Sequence, residues 1–263
     1  MLPNTPLNTS KRLGQPTEDE KLLDRGPSPR TERKADGTDA WRVLRIQGEF
    51  VSGFDTLADV EAAVCIFGSA RVTEQDPLYA KAVELARVLS EDGFAIITGG
   101  GPGFMEAGNR GAREANGTSI GCNIELPFEQ GTNRYVDVAL NFRYFFVRKT
   151  MFVKYSEAFV IFPGGFGTLD ELFEALTLIQ TGKIQDFPVI LFGTAYWQGL
   201  LDWIKGTVLT EGKVSPEDLQ RLVVTDDVQE ARETILNCYK KKCWEVEARS
   251  EAATTAQGSK GDA

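Results

Sequence analysis

Residues 158–182 read AFVIFPGGFGTLDELFEALTLIQTG. AFVIFPGG (158–165) is a continuous apolar run of strand length that ends in a glycine-rich turn, and residues 167–182 follow as a helix closed by Gly182. A strand with no polar alternation is covered on both faces, and one that feeds a helix through a tight turn is half of a parallel βαβ unit.

The same unit recurs along the chain. AAVCIFG (62–68) predicts a strand followed by a helix over 77–93, with Leu78, Ala82, Leu85 and Leu89 on one stripe and Gly93 closing it. FAIITGG (94–100) and residues 103–117 form the next strand and helix, and TSIGCNIEL (118–126) a third strand. VALNF (138–142) leads into a helix over 145–156. Beyond the opening stretch come a strand at 187–193, a helix at 195–206, a closing strand at 222–227 and a last helix from Val228. This alternation predicts an α/β, Rossmann-like, doubly wound parallel sheet in a single domain over 41–246. Residues 1–40 and 247–263 carry few large apolar residues and read as disordered tails, because they cannot bury enough surface to offset ordering entropy.

Composition removes several classes of function. The chain has 263 residues, 42% of them hydrophobic, and no apolar run of membrane-spanning length. The N-terminus lacks a signal-peptide apolar core, so a cytoplasmic location is expected. A net charge of −9 argues against a general nucleic-acid binder, which needs a basic face, but leaves room for one small phosphorylated ligand. There is no histidine, which excludes Ser-His-Asp and Cys-His machinery and histidine zinc sites. Cys65 and Cys122 read as small buried residues, and the Cys238/Cys243 spacing is read as neither metal site nor disulfide.

In a doubly wound sheet ligands bind beyond the carboxyl ends of the strands. Two glycine-rich turns lie there, GGGPGFME (99–106) and PGGFGTLDE (163–171). Each opens a helix, whose N–H groups suit an anion. Neither turn is a standard nucleotide fingerprint: counted from Gly101 the sixth residue is Glu106, counted from Gly165 it is Asp170, and no G-K-[ST] occurs. Thr168 is placed to offer a hydroxyl and to cap the following helix. Asp170 and Glu171 either serve the helix dipole or address a ligand's sugar. Arg148 and Lys149 are either solvated helix residues or the source of a forked charge for a phosphate or for Glu171. The neighbouring Phe142, Phe145, Phe146 and Phe152 are read as core or interface residues rather than a stacking platform.

PGGFGTLDE with Arg148-Lys149 upstream, GGGPGFMEA (99–107) and the opening FGSAR (67–71) resemble the LONELY GUY family. Its members are cytokinin riboside 5′-monophosphate phosphoribohydrolases, long mistaken for lysine decarboxylases. The resemblance spans about residues 60–240. It implies hydrolysis of the N-glycosidic bond of nucleoside 5′-monophosphates, AMP included, to free base and ribose 5-phosphate, with no cofactor and no metal. Arg148 and Glu171 match the family's catalytic pair. Gly165, Phe166, Gly167 and Thr168 match its phosphate loop, while Lys149, Thr177 and Glu129 match further substrate-contacting positions. Gly100, Gly101 and Met105 would lie along the ribose and base. The resemblance also implies a homo-oligomer built on a dimer unit. IELPFEQGTNRYVD departs from the plant pattern toward a longer bacterial subgroup that often forms hexamers. The same superfamily holds molybdenum-cofactor carriers, so a non-catalytic binder of a phosphorylated ligand is the alternative. A lysine decarboxylase would need pyridoxal phosphate on a lysine, and no lysine lies in a recognisable motif for it.

Overall fold

The computed structural model describes residues 16–23, 38–126, 131–185 and 187–241. All seven expected strands form: β1 (Ala63–Phe67), β2 (Ala95–Thr98), β3 (Ser119–Ile124), β4 (Val138–Phe142), β5 (Ser156–Ile161), β6 (Val189–Phe192) and β7 (Leu222–Thr225). Every residue of β1, β2 and β6 is buried, as unbroken apolar runs require in a sheet covered on both faces. The strand order is β4-β3-β2-β1-β5-β6-β7. The chain divides into two compact units, and β1 contributes to both.

The first unit comprises residues up to Cys65 and Ser69–Ser156. Its strands pair in parallel, with Ala63 opposite Ala95, Ile97 opposite Ile120 and Gly121 opposite Ala139. Helices α3 (Pro77–Glu91) and α4 (Phe104–Glu114) pack on each other. Asp76 caps α3 by accepting from the Leu78 N–H at 2.9 Å, and Pro77 supplies a first turn whose missing N–H costs nothing. The two helices approach closely at Gly111, where an added Cβ would lie 2.7 Å from the Ala86 Cβ. Helix α5 (Phe145–Tyr155) follows β4.

The second unit comprises Ile66–Gly68 and the chain from Glu157 onward. Within it the Phe162 N–H donates to the Phe67 carbonyl at 2.9 Å, and β5, β6 and β7 pair in parallel. Phe159 packs edge-on against both Phe67 and Phe187, at 4.9 and 4.8 Å between centroids. Helix α6 (Phe166–Gln180) follows β5, and α7 (Thr194–Trp203) follows β6. Helix α9 (Val228–Lys241) follows β7.

Several elements differ from the sequence reading. Of the stretch read as a tail, residues 18–23 form helix α1 (Glu18–Leu23), and helix α2 (Thr38–Thr56) begins inside it. Local chemistry explains α1. Thr17 Oγ1 accepts from the Glu20 N–H at 3.2 Å, while Glu20 accepts from the Thr17 N–H at 2.9 Å, a reciprocal cap. The α7 helix runs on as a wider π-type turn through Leu209, and a short helix α8 (Pro216–Gln220), held by a Ser215/Asp218 capping box, precedes β7. Cys65 and Cys122 are buried free thiols as expected. Cys238 is disulfide-bonded, contrary to expectation. The remainder of the expected tails, 1–15, 24–37 and 247–263, lies outside the described residues, as do residues 242–246 of the expected domain.

Candidate functional site

The first glycine turn leaves β2 at Thr98 and enters α4 at Phe104. Gly100 and Gly103 both have φ +71°, the left-handed region that residues with a Cβ avoid. At Gly103 a Cβ would also overlap the Ser69 carbonyl, which accepts the Phe104 N–H at 3.1 Å. The turn is therefore locked against the FGSAR segment. From below it is held by a buried polar network. Thr98 Oγ1 donates to Asn109 Oδ1 at 2.6 Å and accepts the Gly100 N–H at 2.9 Å. Asn133 Nδ2 donates to the Gly100 and Gly101 carbonyls at 3.1 and 3.0 Å, and to Asn109 Oδ1 at 2.9 Å. Asn109 Nδ2 ties the cluster to Ser119 Oγ at 2.9 Å.

Gly100 and Gly101 are consequently buried, with their carbonyls engaged. Gly99, Pro102, Met105 and Glu106 are the partly exposed members of the turn. A Cβ on Gly99 would meet Met105 Sδ at 2.7 Å and Arg148 Nη1 at 4.0 Å, so the turn, Met105 and the Arg148 guanidinium are neighbours. Arg148 lies over the rings of Phe145 and Phe152, at 5.0 and 5.4 Å from guanidinium carbon to centroid, which holds the fork in place without discharging it. Phe142 and Phe152 are core residues as expected, whereas Phe145 and Phe146 are exposed. Burial pushes the Cys122 thiol up to about 12, against a smaller opposing effect of Arg148, so this cysteine is no nucleophile. Lys149 is half-buried on α5, beside Arg148 in sequence.

The second glycine turn leaves β5 and enters α6. Gly165, Phe166 and Gly167 are exposed, and a Cβ at either glycine would point into open space. The helix N-cap is Gly165, which offers no side chain, so no cap side chain occupies the amides of the first turn. Thr168 is not the cap. It is buried, and its Cβ would lie 2.5 Å from a Cβ on Gly164, so its place in the turn requires glycine there. Tyr196 of α7 donates its hydroxyl to the Gly164 carbonyl at 2.6 Å. Glu171, one turn into α6, is only 4% exposed.

Thr177 is not gathered with Glu171. Six residues along an α-helix amount to a rotation of about 240°. Its hydroxyl donates to the Phe173 carbonyl at 2.7 Å, and its exposed position continues a stripe through Phe166, Asp170 and Phe173. Phe166 is 92% exposed. Glu129 lies outside the described residues. Among the described residues no group of three or more acidic or cysteine side chains is placed to hold a metal ion.

Sequence reasoning missed Asn133, Asn109 and Tyr196. A single asparagine in an aperiodic loop carries no signal of which carbonyls it will bind. Tyr196 sits in the first turn after β6, a place where the strand-end rule directs attention but names no residue.

Comparison with known proteins bears on this pair of turns. A family profile described as "Possible lysine decarboxylase" matches residues 105–235. A cytokinin riboside 5′-monophosphate phosphoribohydrolase of Mycobacterium tuberculosis is 32% identical over 171 residues, 64% of this chain and 90% of that one. One from Arabidopsis thaliana is 30% identical over 195 residues, 70% of this chain and 89% of that one. Among solved structures, a structural-genomics target designated TM1055 aligns with TM-score 0.52 and 26% identity, covering 67% of this chain and 99% of that one. The molybdenum-cofactor carrier of Chlamydomonas reinhardtii aligns with TM-score 0.51 and 22% identity over 68% of this chain and 98% of that one, a likeness of fold alone. The chain belongs to the LONELY GUY family, whose named relatives are cytokinin riboside 5′-monophosphate phosphoribohydrolases.

Proposed function

We propose that this protein hydrolyses the N-glycosidic bond of nucleoside 5′-monophosphates, of the cytokinin type and AMP, releasing free base and ribose 5-phosphate. The relatives named for that reaction support the class of chemistry. The observation that carries the reading onto this chain is a buried carboxylate, Glu171, one helical turn beyond an outward-facing glycine turn. A carboxylate so close to an anion site costs repulsion unless it meets a different part of the ligand.

The division of labour follows from charge. The 5′-phosphate binds the amides of Gly165, Phe166, Gly167 and Thr168 at the positive end of α6. Binding energy from that remote anchor holds the ribose for reaction. Departure of the base leaves positive charge on the sugar, as in other glycoside hydrolyses. Glu171 stabilises that charge through the ribose hydroxyls or takes a proton from the attacking water. Arg148 supplies the cation of the catalytic pair, and Lys149 adds a second. Met105 and the turn around Gly100 and Gly101 border the sugar and base, with Glu129 and Thr177 as further contacts. Water is the only co-reactant the balance needs, so the reaction calls for no cofactor.

We also propose a homo-oligomer built on a dimer. Exposed aromatic residues beside a glycine turn, Phe166 and Phe173, form the kind of apolar surface that a second copy covers. A cytoplasmic location is part of the same proposal; no helix among the described residues is long and apolar enough to cross a membrane. A chromatographic panel of purine and cytokinin monophosphates tests the function. Equimolar base and ribose 5-phosphate are expected, and inorganic phosphate as the product would overturn the assignment.

A further inference from the structure

Helix α5 is poorly built at its N-terminus. It has no acidic residue in its first turn, and its N-cap residue, Tyr144, makes no side-chain cap. It also carries Arg148 and Lys149 within about one turn of the positive end of the helix dipole, where cations are disfavoured. Taken alone, this segment would fray at the turn that bears the guanidinium.

The missing groups come from the N-terminal segment. Asp19 Oδ2 on α1 accepts the Phe145 N–H at 3.2 Å. Glu49 on α2 accepts the Arg143 N–H through both carboxylate oxygens, each at 3.1 Å. Two amides ahead of Arg148, those of Arg143 and Phe145, are thus satisfied by two carboxylates from outside the helix. Helix α2 then follows α5 along its length. A Cβ on Gly53 would lie 2.8 Å from Met151 Sδ, and Tyr155 donates its hydroxyl to the Phe54 carbonyl at 3.3 Å. Helix α1 is itself tethered, since Glu18 pairs with Arg45 of α2 and with Lys21, both at 2.7 Å. Thr17 and Glu18 are buried beneath this arrangement.

We propose that the α1–α2 segment is a positioning device for Arg148, and that Asp19 and Glu49 are its acting residues. This rests on the reading of Arg148 as catalytic. The two carboxylates need not touch substrate. They fix the first turn of α5 and supply negative charge where the dipole and the Arg148-Lys149 pair would otherwise repel. Removing either one lets the guanidinium wander, and a displacement on the order of 1 Å at a catalytic group is enough to slow a reaction markedly.

The test uses the full chain with AMP. Asp19→Ala and Glu49→Ala are compared with Asp19→Asn and Glu49→Gln, which keep an acceptor oxygen, and with Arg148→Ala. Three quantities are read: kcat, KM, and amide exchange over residues 143–148. The alanine variants should lose on the order of tenfold in kcat with KM nearly constant, and exchange faster at these amides, with Asn and Gln restoring much of both. Should the alanine variants fail to fold, Asn and Gln are read alone: reduced kcat with faster exchange at these amides supports the role of the two carboxylates, and wild-type kcat with wild-type exchange in both overturns it. Wild-type kcat in both alanine variants, with Arg148→Ala inactive, overturns the inference while leaving the proposed function intact. Full activity in Arg148→Ala overturns the catalytic reading and the inference with it, and the exchange data then report only on capping.

Discussion

The hydroxyl of Tyr196, in the first turn of α7, donates to the carbonyl oxygen of Gly164 at 2.6 Å. The bond ties the glycine turn after β5 to the helix after β6, two segments far apart in sequence. It fixes the peptide just ahead of Gly165, the N-cap of α6. Tyr196→Phe keeps the ring and removes only the donor. Stability should fall by about 1 kcal/mol. The KM for a nucleoside 5′-monophosphate should rise several-fold while kcat holds. Urea titration and steady-state kinetics check the two effects separately.

Gly103 shows that a turn can be specified by one missing atom. Its φ of +71° and the Ser69 carbonyl beside it leave no room for a Cβ. Gly103→Ala should destabilise the protein by about 3 kcal/mol, combining left-handed strain with the overlap. Gly165→Ala provides the contrast, because nothing surrounds that position. Chemical denaturation of the two variants should separate them by at least about 2 kcal/mol.

Glu157 on β5 carries a cost of its own. Burial raises its carboxyl above the ordinary value of 4.5. The folded state therefore holds this proton more firmly than the unfolded state. The group favours folding when protonated and loses that contribution as pH rises through its folded value. Glu157→Gln should melt higher than wild type at neutral pH, and the difference should shrink on acidification toward that ordinary value. Thermal melts across that range check the sign; a variant that melts lower than wild type at neutral pH would contradict it.

The exposed stripe on α6 makes a prediction about assembly. Phe166 is 92% exposed and Phe173 41%. Phe166→Glu should shift the protein toward monomer in light scattering coupled to size exclusion, because a charge opposes burial of this face in a second copy. An unchanged mass would remove Phe166 from the interface.

The sheet is legible in the sequence because its strands are short apolar runs paired in parallel. Runs such as AVCIF and VILF have one reading when bounded by glycine and a helix-length segment. The two glycine turns are legible for the same reason, since strand ends punctuated by glycine stand out. Their polar supports are not. Asn133 grips Gly100 and Gly101 across thirty-odd residues of chain, and Asp19 grips Phe145 across 126. Such contacts depend on where the fold brings a side chain, not on its neighbours in sequence. The N-terminal segment escapes a reading from composition for a related reason. Its burial rests on ion pairs and a reciprocal cap at Thr17 and Glu20, with little of the apolar patterning that marks a helix. Thr177, a position matched through the family motif, stands on a different face of α6 from Glu171, which the motif spacing alone does not convey.

Glu171 is the group on which the proposed chemistry turns, and single-turnover kinetics of Glu171→Gln with AMP tests it most directly. The substitution keeps the shape of a buried side chain and removes its charge. Base release should fall by at least on the order of a hundredfold, with nucleotide affinity within a few-fold of wild type. Base release at the wild-type rate in this variant would contradict the proposed mechanism.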